Sequence, residues 1–226
     1  MDRTYLLLQL SDPLFPIGGY AHSYGLETYT QKGLVHDEAT AAAYLEQKLR
    51  LSFLHSDLLP VRLAWEYSHN GDVGGLTELD TLLSASRLPA EIRSAGWKLG
   101  SRFLKTIQSF LQPFPSTLAK YWEAAGNHAN YPVCFGAACA ALGITKDDTL
   151  SHFLYSQVTA MVTCCVKSIP LSQTSGQKLL CQLHPLLEEL VQQCLTLPRE
   201  QVCLSTPAFD IRCMEHERLY SRLYMS

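Results

Sequence analysis

The chain has no surplus of positive charge, no long apolar run and no strand-like alternation, and each absence removes a class of protein. Its 226 residues carry 18 Lys and Arg against 21 Asp and Glu, a formal net charge of −3. Broad nucleic-acid binders and proteins that lie on anionic membranes carry a basic excess instead. No segment approaches the roughly 20 consecutive apolar residues that a membrane span requires. The opening MDRTYLLLQLSDP has too short an apolar run and no small-residue cleavage site, which argues against a secretory signal and for a cytoplasmic protein. No stretch alternates apolar and polar residues over any length, and no Asn-Gly hairpin joins two strand-like runs. Repeats at solenoid spacing and low-complexity tracts are absent too.

Motifs for catalysis and cofactors are also missing. Gly18-Gly19 is followed by Tyr20, Ala21 and His22 rather than by Lys and a hydroxyl residue, so there is no phosphate-binding loop. The next glycine is Gly25, which rules out the dinucleotide fingerprint. Ser11, Asp12, His22 and Ser23 are close in sequence, yet a Ser-His-Asp triad needs a strained nucleophile turn and an oxyanion hole. Ser11 and Asp12 read better as turn or cap groups beside Pro13. The histidines are scattered, and His216-Glu217 lacks a second His at metal-ligand spacing. Eight cysteines (134, 139, 164, 165, 181, 194, 203 and 213) all lie in the second half, without a Cys-x-x-Cys pair. In a leaderless cytosolic chain they read as small buried hydrophobes, with a soft-metal site of Cys and His brought together by folding as the alternative. No catalytic residue, metal ligand or cofactor is expected.

What is present is helical periodicity. A chain of this length buries roughly 70% of its unfolded surface and needs no staple. Asp37 is a candidate N-cap for a helix carrying Ala41, Tyr44, Leu45, Leu49 and Phe53. A second apolar set, Leu58 to Tyr67, brackets Pro60 and ends at the turn dipeptide Asn70-Gly71. Leu76, Leu79, Leu82 and Leu83 recur at helical spacing. Pro89 opens a segment whose stripe is Ile92, Leu99, Phe103, Ile107 and Phe110, and which stops at Pro113. Pro132 opens a helix of small residues that Gly143 closes. Asp147 or Asp148 is placed to cap a helix from Leu150 to Ile169, and Gln177 to Leu197 reads as another, interrupted or kinked at Pro185. The tail from Phe209 to Met225 is helical in composition. The fold expected is an all-α, single-domain multi-helix bundle over residues 1–226, with roughly eight to ten helices.

Two segments stand out. Residues 8–27, LQLSDPLFPIGGYAHSYGLE, join helix-like stretches through a dense Pro-Ile-Gly-Gly crossing that presents His22, Tyr24 and Glu27 at the start of a helix. The tail RCMEHERLYSRLYMS, read as a helix, puts Arg212, His216, Tyr220 and Leu223 on one strip and pairs Arg218 with Arg222. Arg and Tyr are favoured binding hot spots, so residues 209–226 are a candidate partner-docking segment, with packing back on the chain's own bundle as the alternative. Lys167, the last cation of an apolar helix, either complements the helix dipole or faces a partner.

The landmarks run along nearly the whole chain. They are Ser11-Asp12-x-x-x-Pro16-x-Gly18-Gly19-x-x-His22-Ser23-x-Gly25-Leu26-Glu27, Arg87-Leu88-Pro89, Arg93, Gly100-x-Arg102, Tyr131-Pro132-Val133, Phe135-Gly136, Lys167-x-x-Pro170-Leu171-x-Gln173-x-x-Gly176-Gln177 and His216-Glu217-x-x-Tyr220-Ser221-Arg222-Leu223. In this order they resemble the UreF family of urease accessory proteins. The resemblance implies a non-catalytic all-α homodimer that binds a UreD-like protein (UreH in some organisms) and a UreG-like GTPase. The assembly would act on apo-urease, where GTP hydrolysis accompanies nickel insertion. By the same resemblance, Gly18, Gly19 and Lys167 fall near the GTPase-facing surface, and Arg212 to Arg222 fall in the segment that docks on the UreD-like partner. Two positions depart from the family pattern: Asn130 stands where a His often precedes Tyr131-Pro132, and Gly96 stands where Ser is expected. A protein that itself carries nickel through Cys and His is the alternative function.

Overall fold

The computed structural model describes residues 3–204 and 206–226, and among them it contains helices and no strands. The elements are α1 (Arg3–Ser11), α2 (Leu26–Gln31), α3 (Glu38–Lys48), a π-helix (Leu49–Leu58), α4 (Leu59–His69), α5 (Val73–Ser86), α6 (Ala90–Phe110), α7 (Ser116–Ala125), α8 (Tyr131–Ala141), α9 (Lys146–Ser168), α10 (Gln173–Thr196) and α11 (Pro207–His216). The all-α expectation holds. No helix among the described residues is long and apolar enough to cross a membrane.

Local chemistry explains most of the boundaries. Asp37 caps α3: its Oδ1 accepts from the Thr40 amide at 2.8 Å, while the Thr40 hydroxyl is 3.0 Å from the Asp37 amide. At α9 the cap is Thr145 rather than either aspartate, and its hydroxyl accepts from the Asp148 amide at 3.1 Å. Asp147 and Asp148 occupy the first turn, where they complement the helix dipole. Ser172 caps α10 and starts it ahead of the expected Gln177. Pro185 lies inside an unbroken α10.

Pro60 is also embedded in continuous helix, since α3, the π-helix and α4 follow one another without a break. A proline has no N–H to give, and its ring crowds the carbonyl four residues back. The wide π turns upstream accommodate this, and the freed carbonyls find other donors. His55 O accepts from the Cys203 amide at 2.9 Å, and Ser56 O accepts from Arg87 Nη2 at 3.2 Å.

The centre of the bundle is α8, buried from Tyr131 to Ala140 and flanked by α4 and α6. Small residues allow the close approach: a Cβ on Gly136 would collide with the Val61 carbonyl, and Ser68 Oγ donates to Ala137 O at 2.9 Å. Phe103, Phe135 and Phe153 pack in series as tilted rings at centroid distances of 5.6 and 5.2 Å, and Phe15 from the N-terminal crossing joins Phe103 at 5.4 Å. The crossing is thereby rooted in the core. Cys134, Cys139, Cys164, Cys165, Cys194 and Cys213 are buried, Cys203 is half-buried and Cys181 is exposed.

Candidate partner-docking site

The two segments that stand out in the sequence form one structure. After α1 the chain buries Phe15 and Ile17 and turns at Gly18 with φ +85°. It then reverses sharply through Tyr24 (φ 51°) and Gly25 (φ +87°) into α2. Only glycine fits at Gly25, because a Cβ there would lie 2.7 Å from Cys213 Sγ on α11. The reversal aims two consecutive amides, Ser23 and Tyr24, at the Ser226 carbonyl oxygen, at 2.6 and 3.1 Å. Ser23 Oγ donates to the same oxygen at 2.9 Å, Met225 N donates to Ala21 O at 2.8 Å, and His22 Nδ1 lies 2.8 Å from Ser226 Oγ.

Glu27 is the hub. It sits in the first turn of α2, where the helix dipole favours a carboxylate, and it is only 6% exposed. Its Oε1 accepts from Leu223 N at 2.6 Å, and its Oε2 accepts from Tyr224 N at 3.1 Å. His216 Nε2 lies 3.1 Å from the same Oε2, and His216 Nδ1 lies 2.7 Å from Glu91 Oε2. The ring thus lies within hydrogen-bond distance of both carboxylates. Glu91 Oε1 in turn holds Arg222 Nη1 at 2.6 Å. Thr28 Oγ1 donates to Arg212 O at 2.9 Å, and Gln31 Nε2 donates to Ser221 O at 2.8 Å. Burial, followed by the charge of Lys98, holds the His22 imidazole below its ordinary pKa.

This arrangement corrects the tail expected from sequence. Helix α11 ends at His216, not near Met225, and Glu217 to Ser226 fold back over the crossing. The reason is competition for amides. Glu27 and Ala21 accept from Leu223, Tyr224 and Met225, which would otherwise bond within a helix. The helical strip therefore breaks up: His216 is fully enclosed, whereas Tyr220 stands free in solvent.

The candidate residues fall into three groups. His22, Tyr24, Glu27, His216 and Arg222 come together where the tail closes on the crossing. Arg212, Arg218 and Tyr220 lie on the tail beyond that contact. Arg212 bonds Glu215 at 2.7 Å and lies 6.0 Å over the Tyr29 ring, while Arg218 and Tyr220 are exposed. Lys167, exposed at the end of α9, lines a cavity of about 120 Å³ with Gly19, Tyr20 and His22. Gly18 rests on Arg102 of α6, whose Nη1 lies 2.8 Å from where a Cβ would be.

Sequence reasoning missed Glu91. Its one signal is a carboxylate in the first turn after Pro89, which dipole complementarity alone explains. It also missed that the two departures face each other: a Cβ on Gly96 would lie 2.9 Å from Asn130 Oδ1. Asn130 is fully buried, with its amide and Nδ2 bonded to Asp80 Oδ1 at 2.8 and 3.1 Å. Burial raises the Asp80 carboxyl above the usual range. Among the described residues, no group of three or more His, Cys, Asp or Glu side chains is placed to hold a metal ion.

The sequence model of the family UreF matches residues 35–184. A urease accessory protein UreF of Actinobacillus pleuropneumoniae serotype 3 (strain JL03) is 37% identical over 227 aligned positions, covering all of both chains. One from Haemophilus influenzae (strain PittEE) is 38% identical over 223 positions, covering 97% of this chain and 94% of its own. The segments 8–27 and 209–226 lie outside residues 35–184 but within the first of these alignments, which spans the whole chain, and on this basis the chain belongs to the UreF family of urease accessory proteins.

Proposed function

We propose that this chain is the scaffold subunit of a urease maturation assembly. It binds a UreD/UreH-like accessory protein and a UreG-like GTPase, docks with them on apo-urease, and supports GTP-dependent insertion of nickel. It works as a homodimer in the cytoplasm and contributes positioning rather than a catalytic centre. The docking segment is 209–226: Arg212, Arg218, Tyr220 and Arg222 meet the UreD/UreH-like partner, while Gly18, Gly19 and Lys167 face the GTPase.

The observation that supports this reading is the closure of the tail on the N-terminal crossing. Enclosed polar groups of the crossing hold the tail, and this leaves Arg218 and Tyr220 outside on a preorganised loop. Preorganisation lowers the ordering cost of docking, and exposed Arg and Tyr are the side chains that anchor interfaces. Glu27, His216, His22 and Tyr24 act through the shape of that loop rather than by touching the partner.

Co-purification with the UreD/UreH-like and UreG-like proteins tests the assignment, using the full chain and a chain ending at residue 216. The shortened chain is expected to lose the UreD/UreH-like protein while its helix content persists. Retention of that partner at full strength would show the tail assignment to be wrong.

A further inference from the structure

Three cations of α6 stand on one face: Lys98, Arg102 and Lys105, spaced four and three residues apart and all exposed. None is in an ion pair among the described residues. Arg102 donates instead to the Ile17 carbonyl at 3.3 Å, which ties the stripe to the crossing. Glu91 and Glu217 share an open groove with Lys98. Glu91 is engaged by His216 and Arg222, and exposed Glu217 is in no ion pair among the described residues. At the crossing, Lys98 and Arg102 add to the burial that lowers the His22 pKa, while Glu91 opposes them. In the same crossing, Leu14 and Tyr20 are 89% and 74% exposed.

Concentrated, unpaired positive charge in a chain of net charge −3 is a directional feature. We infer that the outer face of α6 from Lys98 to Lys105, with Leu14 and Tyr20 beside it, is a docking surface for an acidic protein face. Carboxylates of the partner pair with the three cations, and an apolar contact covers Leu14 and Tyr20. Such a surface works through encounter rate and orientation more than through residence time. The overall acidity of the chain disfavours nucleic acid as the occupant. The inference rests on the proposed function only for the identity of the partners used as probes.

The test is the double variant Lys98→Glu/Lys105→Glu, with Arg102 left in place because it supports the crossing. Association and dissociation rates are measured at low and high salt against the purified UreD/UreH-like protein and the UreG-like GTPase of the same system. RNA serves as a third probe, and a thermal melt checks the fold. With one of the two proteins, the association rate is expected to fall about tenfold or more at low salt. Dissociation should change little, and the salt dependence of association should flatten. Lys98→Arg/Lys105→Arg should bind as the unaltered chain does, including when the Glu variant fails to fold. Unchanged rates and salt dependence in a folded Glu variant would overturn the surface alone, as would loss of binding in the Arg variant or RNA binding through these lysines. If the unaltered chain binds neither protein, the proposed function falls, and this surface falls with it.

Discussion

Replacing Glu27 by Gln removes one charge and keeps the shape of the side chain, so its effect can be worked out contact by contact. The carboxylate accepts from Leu223 N at 2.6 Å and Tyr224 N at 3.1 Å, and it faces His216 Nε2 at 3.1 Å. An amide has one acceptor oxygen, so either its NH2 meets Tyr224 N–H and the His216 ring, or it meets Leu223 N–H. In both orientations at least one donor faces another donor in an enclosed site. Hydrogen bonds to a charged group contribute about 1.5–3 kcal/mol each, and breaking a buried pair costs about 3–5 kcal/mol. We expect the tail-closing equilibrium to weaken by about 3–5 kcal/mol, or roughly two to three and a half powers of ten. The loss is local, because Glu27 contacts the tail and α11 while the core around α8 is untouched. Hydrogen exchange at Leu223, Tyr224 and Met225 should accelerate by that factor, and trypsin should cut sooner after Arg218 and Arg222. Glu91→Gln should do less, since Glu91 is more exposed than Glu27 and accepts no backbone amide among the described residues. Unchanged tail protection in a folded Glu27→Gln chain, or a larger effect from Glu91→Gln, would refute the reasoning.

Three further outcomes follow from the same geometry. The His22 pKa is held below its ordinary 6.5 by burial and Lys98, so as pH falls the unfolded chain takes up that proton first. His22 therefore contributes stability that is full above roughly pH 6.5 and declines as pH falls through its own lower value, and denaturation curves of His22→Asn should show a shallower decline than the unaltered chain. Gly25→Ala puts a Cβ 2.7 Å from Cys213 Sγ at φ +87°, and a loss of about 2 kcal/mol or more should lower the melting temperature by roughly 4–8 °C; an unchanged melt would mean the reversal relaxes without cost. Burial pushes the thiols of Cys139, Cys165 and Cys194 up to about 12, so a thiol reagent at neutral pH should find one fast site, Cys181, and lose it in Cys181→Ser; several fast thiols would contradict the packing.

Local rules made much of the fold legible. The Asp37 cap, the stripe of α6 and the small-residue helix α8 each follow from residues within one or two turns. Pro60 was harder, because the donors that satisfy the freed carbonyls, Cys203 and Arg87, are remote in sequence. The tail was harder for the same reason. Its composition is helical, and nothing within it announces that Glu27, nearly the whole chain away, takes the amides of Leu223 and Tyr224. Glu27 and His216 could be picked out by type and motif, but not by burial. A helical strip groups His216 with Tyr220, whereas the chain leaves the helix between them.

That separation divides the signature residues by mechanism. If the docking loop binds only when closed, the apparent affinity for the partner scales with the closed fraction. Weakening closure then costs affinity only once the open form is well populated, so a positioning residue such as Glu27 shows a threshold. Tyr220 is fully exposed, so its truncation should leave closure unchanged. Tyr220→Ala should therefore lower affinity for the proposed UreD/UreH-like partner by about tenfold or more with tail exchange unchanged. Glu27→Gln should accelerate exchange whether or not affinity falls, and adding partner should restore protection in proportion to binding. If Tyr220→Ala accelerates tail exchange as Glu27→Gln does, outer and inner faces are not energetically distinct, and the loop does not act as a preorganised docking element.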